Sequence, residues 1–219
     1  MPTDERAIVY ALASPRLPRR LRLAGHELDV VHINGIDVVL ERDVDAPVIS
    51  EEVLREHHSI VVELARRADA LLPVRFGSVM DTEDLRTRIS DAADPLRRAL
   101  EHVRGRAQMT VRIFGVPLPV MAEARPPATG TEYLRQRRDR ARATPPEAAC
   151  VVRHVASFVI DERIEAGDGP LRATIFHLIA LGDVDRYRAA AEASRTEATP
   201  LQVTITGPWP AFAFAPELW

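Results

Sequence analysis

Residues 28–40 read Leu28-Asp29-Val30-Val31-His32-Ile33-Asn34-Gly35-Ile36-Asp37-Val38-Val39-Leu40. Two runs rich in β-branched residues flank the pair Asn34-Gly35. A two-residue type I′ turn requires two residues that tolerate positive φ, and Asn-Gly is the pair that meets this requirement best. The stretch therefore predicts a β-hairpin, and with it a sheet in the first part of the chain.

The segments around this hairpin predict further strands and two helices. Ala7–Ala13 is an apolar run typical of a strand, whereas Arg16–Gly25 is interrupted by arginine and proline and favours a loop. A helix is predicted from its cap residue Ser50 to about residue 68, because its apolar residues fall on one stripe and two glutamates occupy its first turn. The next segment, Leu71–Gly77, predicts a short strand that its proline confines to an edge or a strand start.

A second helix is predicted over residues 81–104, with Pro95 expected to kink or split it. Met109–Ile113 alternates as a strand. The order of strand, hairpin, helix, strand, helix and strand favours an α+β sandwich of ferredoxin-like type. A run of prolines then marks a domain boundary. We therefore expect an N-terminal ferredoxin-like domain over residues 1–120 and a smaller C-terminal α+β domain over 121–219.

The second half of the chain repeats the mixture of helices and strands. Residues 148–156 are compatible with a helix, and Phe158–Ile164 has the pattern of a strand. Leu171–Leu181 is apolar on both faces, which predicts a central strand. Asp183 can begin a short helix, and Leu201–Thr206 alternates as a final strand.

The composition is that of a soluble globular protein. The chain has 219 residues, is 46% hydrophobic and carries a formal net charge of −3. This balance argues against a nucleic-acid binder, and no apolar run is long enough for a membrane span. The sequence lacks lysine, which excludes lysine-based Schiff-base chemistry. Its single cysteine, Cys150, fits a reducing cytoplasm and an inert buried role, and no cofactor is expected.

The histidine pair His57-His58 lies in the middle of the first predicted helix. Adjacent helical residues point about 100° apart, so the two cannot share a metal as an i, i+4 pair could. A structural or surface role and a role as ligand or base are both compatible with this position. The sequence contains no glycine-rich phosphate loop and no Gly-x-Ser-x-Gly nucleophile motif.

Two segments are candidates for binding other proteins. The densest cationic stretch, residues 135–142, is interpreted either as a solvated helix face or as a docking surface for an acidic partner. The last 11 residues contain both tryptophans. Trp209, Phe212 and Phe214 either pack onto the second domain as an ordered tail or serve as an aromatic anchor for another protein.

Three motifs together resemble the gas vesicle protein F/L family. They are Leu72-Pro73-Val74-Arg75-Phe76-Gly77 after the helix with His57-His58, Gly130-Thr131-Glu132-Tyr133-Leu134 at the start of a charged helix, and Gly207-Pro208-Trp209-Pro210 followed by Phe212 and Phe214. The resemblance implies two linked α+β domains, the first ferredoxin-like and the second a modified form with an aromatic, proline-rich tail. It also implies a non-enzymatic accessory role in gas vesicle assembly, in the cytoplasm and at the gas vesicle.

Two hypotheses follow. In the first, the protein binds the hydrophobic gas vesicle shell protein and other gas vesicle accessory proteins, with a set of contact candidates comprising Arg135, Arg138, Arg142, Trp209, Phe212 and Phe214. The motif residues Arg75, Phe76, Gly77, Glu132 and Tyr133 are structural in this view, with Arg75 pairing with a carboxylate. In the second, a small-molecule binder or enzyme uses His57 or His58 with Arg75 and Glu132, since ferredoxin-like folds host many activities. A concave pocket with convergent polar groups would favour the second hypothesis.

Overall fold

The chain folds as two compact α+β units. The computed structural model describes residues 6–14, 17–42, 47–115, 149–167, 169–194 and 201–216. The first unit comprises the described residues of Met1–Arg106 and Trp209–Trp219, and the second those of Ala107–Pro208. Within these ranges, no helix combines the length and the apolar character needed to cross a membrane.

The described residues of the first unit form one sheet and three helices. The elements are β1 (Arg6–Ser14), β2 (Arg20–Leu23), β3 (His26–Ile33), β4 (Ile36–Arg42), α1 (Glu51–Ala65), β5 (Ala70–Pro73), β6 (Val79–Asp81), α2 (Thr82–Asp91) and α3 (Ala93–Val103). The strand order is β2-β3-β4-β1-β5, and β6 pairs with the beginning of β1. As predicted from its proline, β5 lies at an edge of this path.

The predicted hairpin is confirmed as β3 and β4, which turn through Asn34 at φ 48° and Gly35 at φ 85°. The loop predicted over Arg16–Gly25 is wrong, because this segment contains β2. That strand turns into β3 through Ala24 at φ 48° and Gly25 at φ 90°. Alanine rarely adopts positive φ, so Ala24-Gly25 is a weaker turn signal than Asn34-Gly35.

The helix ends follow local chemistry. Ser50 caps α1, and its side chain accepts a hydrogen bond from the backbone N–H of Val53 at 3.2 Å. The split predicted near Pro95 is confirmed, since α2 ends at Asp91 and α3 begins at Ala93. A proline ring clashes with the carbonyl four residues earlier, and Asp91 occupies that position.

The second unit has its own four-stranded sheet. Its described elements are β7 (Arg106–Phe114), α4 (Ala149–Val155), β8 (Val159–Ala166), β9 (Leu171–Ala180), α5 (Val184–Ala193) and β10 (Gln202–Trp209). The sheet order is β10-β7-β9-β8, so β9 is an interior strand, as its apolar faces predict. The described elements follow the β-α-β-β-α-β order of a ferredoxin-like unit.

The strand β7 corrects the predicted organisation. We expect Met109–Ile113 in the first domain, but this strand pairs within the second sheet. The reason is packing, since Val111 and Ile113 are buried in a cluster with Ile175 of β9. In the first unit, by contrast, four strands precede α1, so its order departs from the ferredoxin-like order. The boundary expected at residue 120 lies outside the described residues.

A polar chain crosses the core of the second unit. The hydroxyl of Tyr187 donates to His177 Nδ1 at 2.7 Å, and His177 Nε2–H donates to the carboxylate of Glu162 at 2.9 Å. Tyr187 and His177 are fully buried. Burial lowers the pKa of His177 and raises the pKa of Tyr187, because it disfavours the charged form of each. The network thus holds a neutral imidazole between α5 and the sheet.

Candidate functional site

Three consecutive residues of α1, Glu56-His57-His58, each contact a different part of the first unit. Successive side chains on a helix diverge by about 100°, so three neighbours can face three surroundings. Glu56 faces the sheet, His57 faces the Leu72–Gly77 motif, and His58 faces the C-terminal tail. The triplet therefore brings together segments that lie far apart in the sequence.

Glu56 extends a polar network on the sheet. Its carboxylate lies 4.0 Å from His26 Nε2, and His26 Nδ1 lies 3.1 Å from the Glu41 carboxylate. The hydroxyl of Tyr10 donates to the same carboxylate at 2.9 Å. Burial, together with the charge of Glu41, raises the pKa of Tyr10. This network links α1 to β1, β3 and β4.

His57 is held between two aromatic rings. Its imidazole stacks on Tyr10, with centroids 5.1 Å apart, and meets the edge of Phe76 at 5.2 Å. The residue is buried, and its Nε2 atom has no hydrogen-bond partner among the described residues. Burial lowers the pKa of His57, and this effect outweighs a hydrogen bond with the backbone of Val74 that raises it. His57 therefore packs as a neutral ring.

The motif that supplies Phe76 is a turn fixed by backbone bonds. The N–H of Val74 donates to the carbonyl of Tyr10 at 3.0 Å, and Ser78 donates through its N–H and its hydroxyl to the carbonyl of Arg75. Gly77 has φ 78°, a conformation that favours glycine. The Arg75 side chain is exposed, and the carboxylate pair we expect for it is not formed with any described residue. The carbonyl of Arg75 is the acceptor that closes this turn.

His58 contacts the C-terminal tail. Its imidazole lies 5.5 Å from the Trp209 ring and is stacked with Phe212, with ring centroids 6.0 Å apart and planes inclined by 17°. The tail forms a 3-10 turn over Phe212–Phe214 that lies against β5. Phe214 donates its N–H to the carbonyl of Ala211 at 3.1 Å, and both residues are buried. The tail is thus an ordered part of the first unit.

This geometry corrects two expectations for the tail. The expectation that the tail packs onto the second domain is wrong, because Trp209–Trp219 belongs to the first unit. There the tail packs against His58 and β5. Phe214 is only 4% exposed, so it packs in the interior and is not placed to contact a partner. Phe212 is exposed and Trp209 is half-buried. Five other predicted residues lie outside the described residues, namely Glu132, Tyr133, Arg135, Arg138 and Arg142.

Gly207, the first residue of the closing motif, allows two strands to approach closely. It has φ 119°, and a Cβ atom added there would lie 2.7 Å from the carbonyl oxygen of Gln108 and 2.9 Å from Met109 Sδ. Both contacts are shorter than a Cβ atom tolerates. The glycine is therefore required for packing in the second unit.

Two open grooves of the first unit bear on the small-molecule hypothesis. One, of about 480 Å³, is lined by Ser14, Gly35, Arg97, Arg98, Leu100 and Glu101. The other, of about 570 Å³, is lined by residues of β2, β3 and β4. Neither is lined by His57, His58 or Arg75. In the described part of the chain, no three His, Cys, Asp or Glu side chains are grouped so as to hold a metal ion.

A family model described as gas vesicle synthesis protein GvpL/GvpF matches residues 7–216. The chain belongs to the GvpL/GvpF family. Among solved structures, GvpF from Anabaena sp. PCC7120 is similar with a TM-score of 0.73 and 16% identity, over 97% of this chain and 98% of that one. GvpF from Microcystis aeruginosa is similar with a TM-score of 0.74 and 14% identity, over 98% and 100%. None of the curated proteins matches the sequence.

The family assignment gives the motifs a structural meaning. Two of the three segments that resemble GvpL/GvpF proteins in the sequence contact α1 through His57 and His58. The likeness to the two GvpF structures supports the same α+β fold. The chain is therefore a GvpL/GvpF protein with a gas vesicle role.

Sequence reasoning missed one feature of α1. Leu54 is one of the apolar residues of the stripe predicted for this helix, but the structure leaves its side chain exposed, as it does Val48 and Ile49 before the helix cap.

Proposed function

We propose that this protein acts in gas vesicle assembly as a non-enzymatic accessory protein that binds the hydrophobic shell protein and other gas vesicle accessory proteins. It would act in the cytoplasm and at the growing gas vesicle. The observation that carries the proposal is the placement of Phe212. Its ring is exposed, yet it is fixed by stacking on His58 and by the buried residues Ala211 and Phe214 on either side.

A fixed, exposed aromatic ring suits protein binding. Aromatic residues are enriched at interface cores, and a preorganised side chain loses little conformational entropy on binding. A shell subunit that assembles into a β-rich wall must be kept from premature aggregation, because exposed edges and apolar segments associate readily. A protein that covers the apolar surface of the shell subunit, or that nucleates ordered growth of the wall, meets this need.

The histidines support a non-enzymatic role. His57 is buried between Tyr10 and Phe76, and His58 is covered by Trp209 and Phe212. A general base must reach the proton that it abstracts, and the His57 ring is buried away from solvent. The arginine-rich stretch of residues 135–142 is a second contact candidate, which would act through charge on an acidic region of a partner.

Capture of co-expressed shell protein on the purified, tagged protein tests the proposal. Performed at low and high salt, it separates apolar docking, which resists salt, from docking through arginines, which does not. Phe212→Ala should reduce salt-resistant capture, whereas replacing Arg135, Arg138 and Arg142 by glutamine should reduce only the salt-sensitive part. Absence of capture by the wild-type protein at either salt concentration would refute shell-protein binding.

A further inference from the structure

His57 differs from three other histidines of the described chain in that no carboxylate is paired with it. His26, His32 and His177 each have a carboxylate oxygen within salt-bridge distance, at 3.1, 2.8 and 2.9 Å respectively. No described residue makes such a contact with His57. Burial lowers the pKa of His57, and the charge of the neighbouring His58 lowers it further. A proton gained by His57 in the folded protein therefore has no counter-charge.

The enclosure of the His57 ring also provides no acceptor for a second N–H group. A neutral imidazole has one donor and one acceptor nitrogen, whereas a protonated imidazole has two donors. Nε2 of His57 is buried without a partner among the described residues, and the ring lies between Tyr10 and Phe76. Protonation would leave a charged group buried and incompletely hydrogen-bonded, which costs far more free energy than an unpaired nitrogen of a neutral ring.

Tyr10 is the firmly held side of this enclosure. It lies on β1, in the interior of the sheet between β4 and β5, and is only 5% exposed. Its hydroxyl donates to the Glu41 carboxylate at 2.9 Å, and this carboxylate also contacts His26. Glu56 lies 4.0 Å from the same histidine. The carboxylates of α1 and β4 that belong to this network are therefore engaged with Tyr10 and His26.

Phe76 is the side of the enclosure that can move. It is half-buried and lies in the turn of residues 74–78 after β5, where both of its neighbours in the sequence are exposed. Two backbone hydrogen bonds of 3.0 Å hold this turn on β1, from the N–H of Val74 to the carbonyl of Tyr10 and from the N–H of Val9 to the carbonyl of Ser78. Exposure and few bonds are typical of a segment that opens while the rest of the protein stays folded.

From this geometry we infer that His57 is a pH-sensitive switch for the turn of residues 74–78: gain of a proton by His57 opens the turn and exposes Phe76, while α1 and the sheet stay folded. Opening admits water, which hydrates the imidazolium and satisfies its N–H groups. Arg75, the charged residue of the turn, is exposed and is itself a cation, so it supplies no counter-charge that would keep the turn closed.

Amide hydrogen exchange, measured by NMR on the full-length protein, tests this switch. Rates corrected for the intrinsic effect of pH give protection factors for the amides of Val74, Ser78 and Val9. Below about pH 6.5 these protection factors should fall about tenfold per pH unit, because each opening takes up one proton. At pH 5 this exchange should not respond to low urea concentrations, since a local opening exposes little surface, whereas exchange of β9 amides should accelerate.

Matched variants assign the response to His57. His57→Phe keeps an aromatic ring in the enclosure and His57→Gln keeps a polar side chain, but neither side chain titrates. In both variants the protection of the turn amides should no longer depend on pH. His102→Gln is the control, because it removes another half-buried histidine of the first unit, which lies on α3 beside Arg106. This variant should respond to pH as the wild type does.

Three results would overturn the inference. Equal protection of the turn amides at pH 7 and pH 5 in the wild type would show that the turn stays closed. A pH response that persists in both His57 variants would assign it to another group. Exchange of the turn amides that accelerates in urea as strongly as that of the β9 amides would show that the turn opens only when the protein unfolds.

Discussion

Phe212 and His58 lie face to face, with ring centroids 6.0 Å apart and planes inclined by 17°. This pair joins the end of the chain to the first long helix. On one side of Phe212 the tail is buried through Ala211, and on the other through Phe214. A single short segment therefore combines the exposed ring of Phe212 with two buried residues, Ala211 and Phe214, that anchor it. Substitutions can separate the effect of the exposed ring from that of the buried residues.

Phe214→Ala should destabilise the protein more than Phe212→Ala does. Phe214→Ala removes a buried ring and should lower the free energy of unfolding of the first unit by about 3 kcal/mol. Phe212→Ala removes one partly exposed stacking contact and should cost about 1 kcal/mol. Urea unfolding followed by Trp209 fluorescence in a Trp219→Phe background measures both. Equal destabilisation would contradict the division between anchor and contact residue.

Stability should decrease as the solution is acidified. Burial lowers the pKa of both His57 and His177, so below about pH 6.5 the unfolded chain binds protons that the folded protein does not. The free energy of unfolding should therefore fall between pH 7 and pH 5, by at most about 1.4 kcal/mol per pH unit for each histidine. Unfolding midpoints across this range give the slope. His57→Phe should make the slope shallower, and an unchanged slope would rule out His57 as a source.

Tyr187→Phe should destabilise the second unit, because it interrupts the buried polar chain of Tyr187, His177 and Glu162. The substitution keeps the ring but removes the hydroxyl that donates to His177 Nδ1, which leaves a buried acceptor without a partner. The expected loss is about 1–3 kcal/mol. Tyr10→Phe is the matched comparison, because its acceptor Glu41 keeps His26 as a second partner, and the loss should be smaller. Hydrogen exchange of β9 amides reports the second unit directly, and a neutral Tyr187→Phe would contradict the network.

The two tight turns of the first sheet offer a reciprocal pair of substitutions. Ala24 and Asn34 both have φ 48°, but only asparagine adopts this conformation readily. Ala24→Asn should stabilise the protein and Asn34→Ala should destabilise it, each by about 1 kcal/mol. Thermal unfolding monitored by circular dichroism measures both. Shifts of the same sign would show that side-chain contacts, not backbone conformation, dominate at these turns.

The sequence alone determined features that depend on local conformation. Asn34-Gly35 specified the hairpin because of its φ preference, Ser50 specified the start of α1 by capping it, and Pro95 separated α2 from α3 by steric clash. The combined motifs also identified the family. The strand β2 was missed because Ala24-Gly25 is a weaker turn signal than Asn34-Gly35.

Only the tertiary structure decided which segments pair over long distances. The pattern of Met109–Ile113 predicts a strand, but its sheet was chosen by packing against β9 of the second unit. The sequence does not specify which apolar surface the aromatic tail covers. In the structure the tail packs on the imidazole of His58 and against β5 of the first unit, and Phe214 is buried. Periodicity reports which side chains share a face, whereas burial depends on what packs against that face, as the exposed Leu54 on α1 demonstrates.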